Sequence, residues 1–332
     1  MKIRILLSSL FLILSFSVQA QKPVWDANKV DLVSQKLVDG VYAVYEKGAD
    51  IKAPKGIPMA TSGGIIIGDK GVMLVETMLN KRLYKQMTAL VTELTDKPIL
   101  YAVNTSHHGD HAFGNYYLPE STQIIQHSRG KARFETRFEE DRNLMLGIMG
   151  KGRGVEAIKP RSGDILIKPE GSVTIDLGGR EVFIKDFGFA QTGDDLFVWL
   201  PEEKVLWTGN PVVAEAPALP WLLQGRLLES LETLEKVRDF IDSDTTVVPG
   251  HSRPTTSAVL DWNIDYLRHI KSAVASGLDK GWNQGKIVAA TQAEQYQGYA
   301  LFKWVHFGLN LPAAFRDLSP AGVNQTSGKA EQ

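Results

Sequence analysis

The sequence predicts a mixed α/β fold in a single domain, and three observations carry that prediction. Short apolar runs of strand length alternate with helical spacings of leucine and methionine from about residue 40 to about residue 318. No internal repeat and no break in composition divides this stretch. The composition, 43% hydrophobic and 9% aromatic over 332 residues, is ordinary for a packed globular chain.

Ahead of the fold, residues 1–20 read as a cleavable secretory signal. Lys2 and Arg4 supply the positive start, residues 5–18 the apolar stretch, and Val18-Gln19-Ala20 a small-residue site with the cut expected after Ala20. The apolar stretch is short beside the ~20 residues that a bilayer span needs. No later segment is long and apolar enough to span, so the mature chain is expected without a membrane anchor, exported most simply to a bacterial periplasm. Lys and Arg number 37 against 38 Asp and Glu, so no basic excess points to nucleic acid. The absence of cysteine excludes disulfides, thiol nucleophiles and cysteine ligands for zinc or iron–sulfur. No Gly-x-Ser-x-Gly elbow supports a serine hydrolase.

Along the chain, residues 64–68 and 72–75 read as a hairpin of buried strands around Asp69-Lys70-Gly71. Leu79, Leu83, Met87, Leu90 and Leu94 mark an amphipathic helix, which Lys97-Pro98 ends. Residues 99–103 form a strand ending at Asn104, and 121–126 another. Residues 131–143 read as a charged helix with little apolar face. Gly150-x-Gly152-x-Gly154 lacks a preceding strand and a following apolar helix, so it is a connection rather than a nucleotide loop. Strands follow at 173–176, 182–186, 196–200 and 205–207. Leu227, Leu228, Leu231 and Leu234 mark a helix, 245–248 a strand, and Leu260, Ile264 and Leu267 a further helix. The domain is expected over 21–318, with a loose polar tail over 319–332.

The chemistry concentrates after the strand at 99–103, in Ser106-His107-His108-Gly109-Asp110-His111. Three of the seven histidines fall within five residues, beside an aspartate. Imidazole and carboxylate are the ordinary ligands of catalytic zinc, which keeps an open position for water. Alone, the cluster reads either as a metal-binding loop or as a hydrated polar turn.

This segment resembles the His-x-His-x-Asp-His signature of the metallo-β-lactamase superfamily, zinc hydrolases that include class B β-lactamases and glyoxalase II. Four further segments are similar in the right order. Residues 64–76 resemble the opening hairpin, with Glu76 where the family usually has aspartate. Ala190-Gln191-Thr192-Gly193-Asp194 is similar to the Ala-His-Thr-x-Gly-Asp segment. Val205-Leu206-Trp207-Thr208-Gly209-Asn210 resembles the Val-Leu-Phe-x-Gly-Asp strand, and Val248-Pro249-Gly250-His251 the Pro-Gly-His that brings the last ligand. The resemblance implies an αββα sandwich, two mixed β-sheets flanked by helices.

The resemblance also implies a degenerate site. The family's first zinc is held at the positions of Ser106, His108 and Gln191, so two of its three ligands are gone. The second uses the positions of Asp110, His111 and His251, with Asn210 in place of the bridging carboxylate. One Zn2+ on Asp110, His111 and His251 is therefore expected, with the Asn210 oxygen nearby and no second metal. His107, at an alternate position, is expected to point away.

The implied function is a mononuclear hydrolase of an ester, thioester, lactone or amide in a small molecule. Asp110 and His108 are the candidate catalytic residues, His108 as a general base or proton shuttle with an ordinary near-neutral pKa. Ser106, Gln191 and Asn210 would hydrogen-bond substrate, and specificity would lie in loops over 128–160 and 211–226. The alternative is a non-catalytic binding protein that has given up metal chemistry, as the loss of three family ligands would suit, but the joint presence of Asp110, His111 and His251 favours an enzyme. Oligomeric state is left open. Of the lesser signals, Asp194 is expected to cap a turn, His306 to bond structurally, and Trp221-Leu222-Leu223 to form either an apolar flap or ordinary packing.

Overall fold

The computed structural model describes residues 26–149 and 151–319. The signal segment with its cut after Ala20, and the tail beyond Ser319, lie outside the described residues. An antiparallel run starts the first sheet: β1 (Leu32–Val38) pairs with β2 (Val41–Glu46), β2 with β3 (Gly63–Ile67), and β3 with β4 (Val72–Val75). The short helix α1 (Ala49–Lys52) lies between β2 and β3. Helix α2 (Lys81–Leu94) then carries the chain across, so that β5 (Ile99–Val103) joins β4 in parallel, as a crossover connection requires. Asn80 caps α2 by accepting from the Leu83 N–H at 3.0 Å. After the single turn α3 (Gly109–Ala112), β6 (Gln123–His127) adds in parallel. Helix α4 (Ser128–Met149) leads to β7 (Ile165–Ile167), completing a seven-stranded mixed sheet in sequence order.

The second sheet runs β13-β12-β11-β10-β9-β8, from β8 (Ser172–Asp176), β9 (Glu181–Lys185), β10 (Phe197–Leu200), β11 (Val205–Gly209), β12 (Thr246–Pro249) and β13 (Thr255–Thr256). Only β11 and β12 pair in parallel, joined through helix α5 (Leu227–Phe240). Helices α6 (Ala258–Asp279), α7 (Gln284–Ala290) and α8 (Leu311–Leu318) close the chain, α8 after a π-helical segment Lys303–Asn310.

Three apolar layers define the architecture. Between the sheets, Ile66, Met73, Val75 and Val103 meet Ile184, Val198, Val205 and Trp207. Outside the first sheet, Leu83, Met87 and Val91 of α2 and Phe134 and Phe138 of α4 cover Ile65, Leu74 and Ile124. Outside the second, Leu231, Leu234, Leu260, Ile264 and Leu267 cover Phe197, Leu206 and Val247. This is the expected αββα sandwich with two mixed sheets. No helix among the described residues is long and apolar enough to cross a membrane.

The structure differs from the sequence reading in several elements. β1, β2, β7, β13, α7, α8 and the π-helical segment were not legible in the pattern. The charged helix is longer than expected and does have an apolar face: Phe134, Phe138 and Met145 are buried, while the ion pair of Arg133 with Asp141 accounts for some of its charge. A non-helical residue at Arg137 (φ −133°) kinks it, which breaks the 3.6 spacing on which the sequence pattern depends. Residues 128–149 are thus helix, not loop. Gly152 and Gly154, with φ of +78° and +79°, make the connection beyond it.

Candidate metal centre

The site forms where the sheets' parallel strands end. Glu76 follows β4, residues 104–111 follow β5, Asn210 follows β11 and His251 follows β12. Backbone bonds tie these ends together, across the sandwich from Ser62 N–H to Gly250 O at 2.7 Å and from Leu196 N–H to Thr105 O at 2.8 Å, and within the first sheet from Thr77 N–H to His111 O at 2.9 Å. The 104–111 loop is pinned from within by Asn104 and Asn115, whose amides bond each other at 2.8 and 3.2 Å. Gly250 leaves room for the Asn210 side chain, since a Cβ there would come within 2.3 Å of Asn210 Oδ1 and 3.0 Å of its backbone.

Asp110, His111 and His251 are buried together, one ligand atom of each lying within 4.8 Å of the others. Asp110 Oδ2 stands 3.3 Å from His251 Nε2 and 3.7 Å from His111 Nε2. Zinc bonds of ~2.0–2.1 Å in tetrahedral array separate ligand atoms by about 3.4 Å, so the spacing fits. The other ring nitrogens are already committed. His251 Nδ1 bonds Pro58 O at 2.9 Å and His111 Nδ1 bonds Glu76 Oε1 at 3.0 Å. This is the arrangement that orients metal-binding imidazoles and leaves Nε2 for the ion. His111 Nε2 is buried without a hydrogen-bond partner among the described residues, which is costly unless a ligand satisfies it.

Electrostatics agree. Burial opposes the charge on Asp110, but the neighbouring His111 and the bond from His251 hold its carboxyl below the usual range. Against burial of its own, His111 is raised to about 9 by Glu76 and Asp110. An arriving cation would take the place of that proton.

Two groups orient the ligands and were missed or undervalued in the sequence. Thr61 donates its hydroxyl to Asp110 Oδ2 at 3.1 Å, and no local pattern signals it. Glu76 is fully buried, accepts from Thr105 and His111, and holds a left-handed φ of +64°. Its position at the hairpin's end was the available clue.

The remaining expected residues divide. Asn210 and Gln191 line a cleft above the trio together with His108, and both Asn210 Oδ1 and Gln191 Oε1 are buried without partners among the described residues. Ser106 does not line the cleft: it is buried in its own loop, its Oγ accepting from the His108 N–H at 3.3 Å. His107 faces away as expected, its Nδ1 on Asp194 Oδ1 at 2.7 Å. Asp194 therefore does not cap the turn. Asp195 does, accepting N–H bonds from Ala190, Gln191 and Thr192 at 3.1, 2.8 and 2.8 Å. His108 differs from expectation too. Loss of solvent, then the His107 and His111 imidazoles, push its pKa down to about 3, so it is neutral near pH 7 and a weak base. Trp221 and Leu223 border the cleft as a flap would, whereas Leu222 is packed in the core. His306 bonds Tyr266 Oη and Thr291 O, each at 2.9 Å.

Comparison with known proteins gives the family and the fold. The chain is 25% identical over 248 residues to the metallo-β-lactamase type 2 of Bacteroides fragilis, covering 74% of this chain and 88% of that protein. It is 24% identical over 187 residues to metallo-β-lactamase IND-1 of Chryseobacterium indologenes, covering 56% and 69%. A solved metallo-β-lactamase from Pontibacter korlensis shares the fold with a TM-score of 0.53 at 16% identity, over 72% of this chain and 99% of that one. Residues 56–251 match the model of the metallo-β-lactamase superfamily, and the chain belongs to that superfamily.

Proposed function

We propose that the protein is a hydrolase of a small carbonyl compound (an ester, thioester, lactone or amide) that works with one zinc ion. The observation that supports this is the convergence of His111 Nε2 and His251 Nε2 on Asp110 Oδ2, with both Nδ1 atoms tied off. Asp110, His111 and His251 would hold the ion, and three protein ligands leave a position open for reaction. Bound there, zinc supplies Lewis acidity, activating water near neutral pH and polarising the substrate carbonyl. A second ion has little to hold it, since Ser106 and Gln191 stand at two of the three positions it would need.

The chain's own groups do the rest. Thr61, Glu76 and the Pro58 carbonyl fix the orientation of the three ligands. Asn210 Oδ1 and Gln191 Oε1 offer acceptors at the cleft floor, and Asn210 also lies where it can complete the ion's surroundings. His108, neutral near pH 7, hydrogen-bonds substrate rather than storing a proton. The reading includes export, on the strength of Lys2, Arg4 and the apolar run that follows.

The test is hydrolysis of nitrophenyl esters, thioesters, lactones and β-lactams by zinc-supplied protein and by His251→Ala. The relatives' names place β-lactams in the panel without giving them precedence. Turnover of one class, lost in the variant, is expected. Metal content and hydrolysis both intact in His251→Ala would overturn the mechanism, and no turnover of any class would favour the binding-protein reading.

A further inference from the structure

The walls of the cleft are apolar on opposite sides. Leu144, Met145 and Ile148 present one face of α4, residues three and four apart lying together on a helix. Across from them stand Trp221 and Leu223, with Val213 deeper. The Trp221 ring is braced edge-on by Trp304 at 5.0 Å. Leu144 is 53% exposed and Leu223 42%, so the rim leaves large side chains in water on both sides of one opening. Apolar surface gathered around a concave site is what a ligand covers. Among the described residues lining the cleft none is Lys or Arg, and Asp110 lies at the floor. Along the walls, away from the metal position, a carboxylate on the substrate thus finds no lysine or arginine, and burying it unpaired is costly. The cavity measures about 140 Å³, close to the size that accepts a benzene-sized molecule.

We propose that the substrate is a neutral carbonyl compound bearing an apolar acyl or aryl group of about six carbons, seated between α4 and the Trp221–Leu223 segment. The inference rests on the hydrolase reading for its carbonyl and on the cleft walls alone for its apolar group. The two are separable, because a neutral amide offered to the metal-free chain tests the walls without turnover.

The experiment titrates the full chain after chelation with straight-chain amides from propanamide to hexanamide, and with hexanoate, by ligand-observed NMR. Affinity should rise about fourfold per methylene, the ratio that burying a CH2 group sustains. Hexanoate should bind about tenfold or more weakly than hexanamide. The double variant Leu144→Asp/Leu223→Asp alters two exposed positions and is checked for folding by circular dichroism. It should weaken hexanamide about tenfold or more. Affinity flat across chain length, hexanoate binding as tightly as hexanamide, or an unaltered double variant would each overturn the proposal. Loss of metal or of hydrolysis with the amide series intact would overturn the hydrolase reading alone.

Discussion

Replacing Glu76 by glutamine tests how the site is held together. The carboxylate has no exposure and accepts three bonds: Oε1 from the Thr105 hydroxyl at 2.5 Å and from His111 Nδ1 at 3.0 Å, and Oε2 from the Thr105 N–H at 3.3 Å. It sits at φ +64°, a conformation costing a non-glycine residue about 1 kcal/mol or more and kept only where its surroundings demand it. Glutamine keeps the size but has one acceptor oxygen. If that oxygen stays on His111 and the Thr105 hydroxyl, the new NH2 meets the Thr105 N–H donor face to face. A buried donor left without its acceptor costs about 1–3 kcal/mol, which urea unfolding of the metal-free chain reads. Zinc affinity should fall about 10–100-fold, the usual effect of removing the partner of a metal-binding imidazole, read by competition with a chromogenic chelator. Affinity within about twofold of the wild type would refute the claim that Glu76 sets His111 for a metal.

Three further predictions concern the frame. Asp195→Ala removes the acceptor of three backbone N–H groups and should lower unfolding free energy by about 3 kcal/mol or more in urea titration. Gly64→Ala would place a Cβ 2.6 Å from the buried Trp207 ring, whose Nε1 is fixed on Gly63 O at 3.0 Å between the sheets. It should cost about 1–3 kcal/mol, measured the same way. Burial lowers the pKa of His306, whereas in the unfolded chain it titrates near 6.5. Its contribution is present above that value and is lost as acid protonates the unfolded chain, by at most about 1.4 kcal/mol per pH unit. Stability measured between pH 7 and 5 should therefore fall more steeply in the wild type than in His306→Gln.

What could be read in the sequence was whatever carries its own period or residue chemistry. The β3–β4 hairpin, α2 and α6 bury regularly spaced apolar residues, and Asp110, His111 and His251 are recognisable by type and by family spacing. β1 escaped because it is an edge strand, its middle residues Gln35 and Lys36 polar and exposed. α4 was read only over 131–143, and its apolar face escaped because the kink at Arg137 and its many charges mask Phe134, Phe138 and Met145. At the site, type and spacing placed the ligands but not the groups they touch. Thr61 reaches Asp110 only because the sheets bring β3 beside the β5 loop. The pKa of His108 depends on packing against His107 and His111. Which of two adjacent aspartates caps a turn and which pairs with His107 is a question of side-chain direction that sequence leaves open.

The central claim is a single ion on Asp110, His111 and His251, and elemental mass spectrometry of the purified chain tests it most directly. One metal per chain is predicted, lost in the Asp110→Ala/His251→Ala double variant. A chain that stays metal-free after zinc is supplied, or a double variant that retains its metal, would contradict the account.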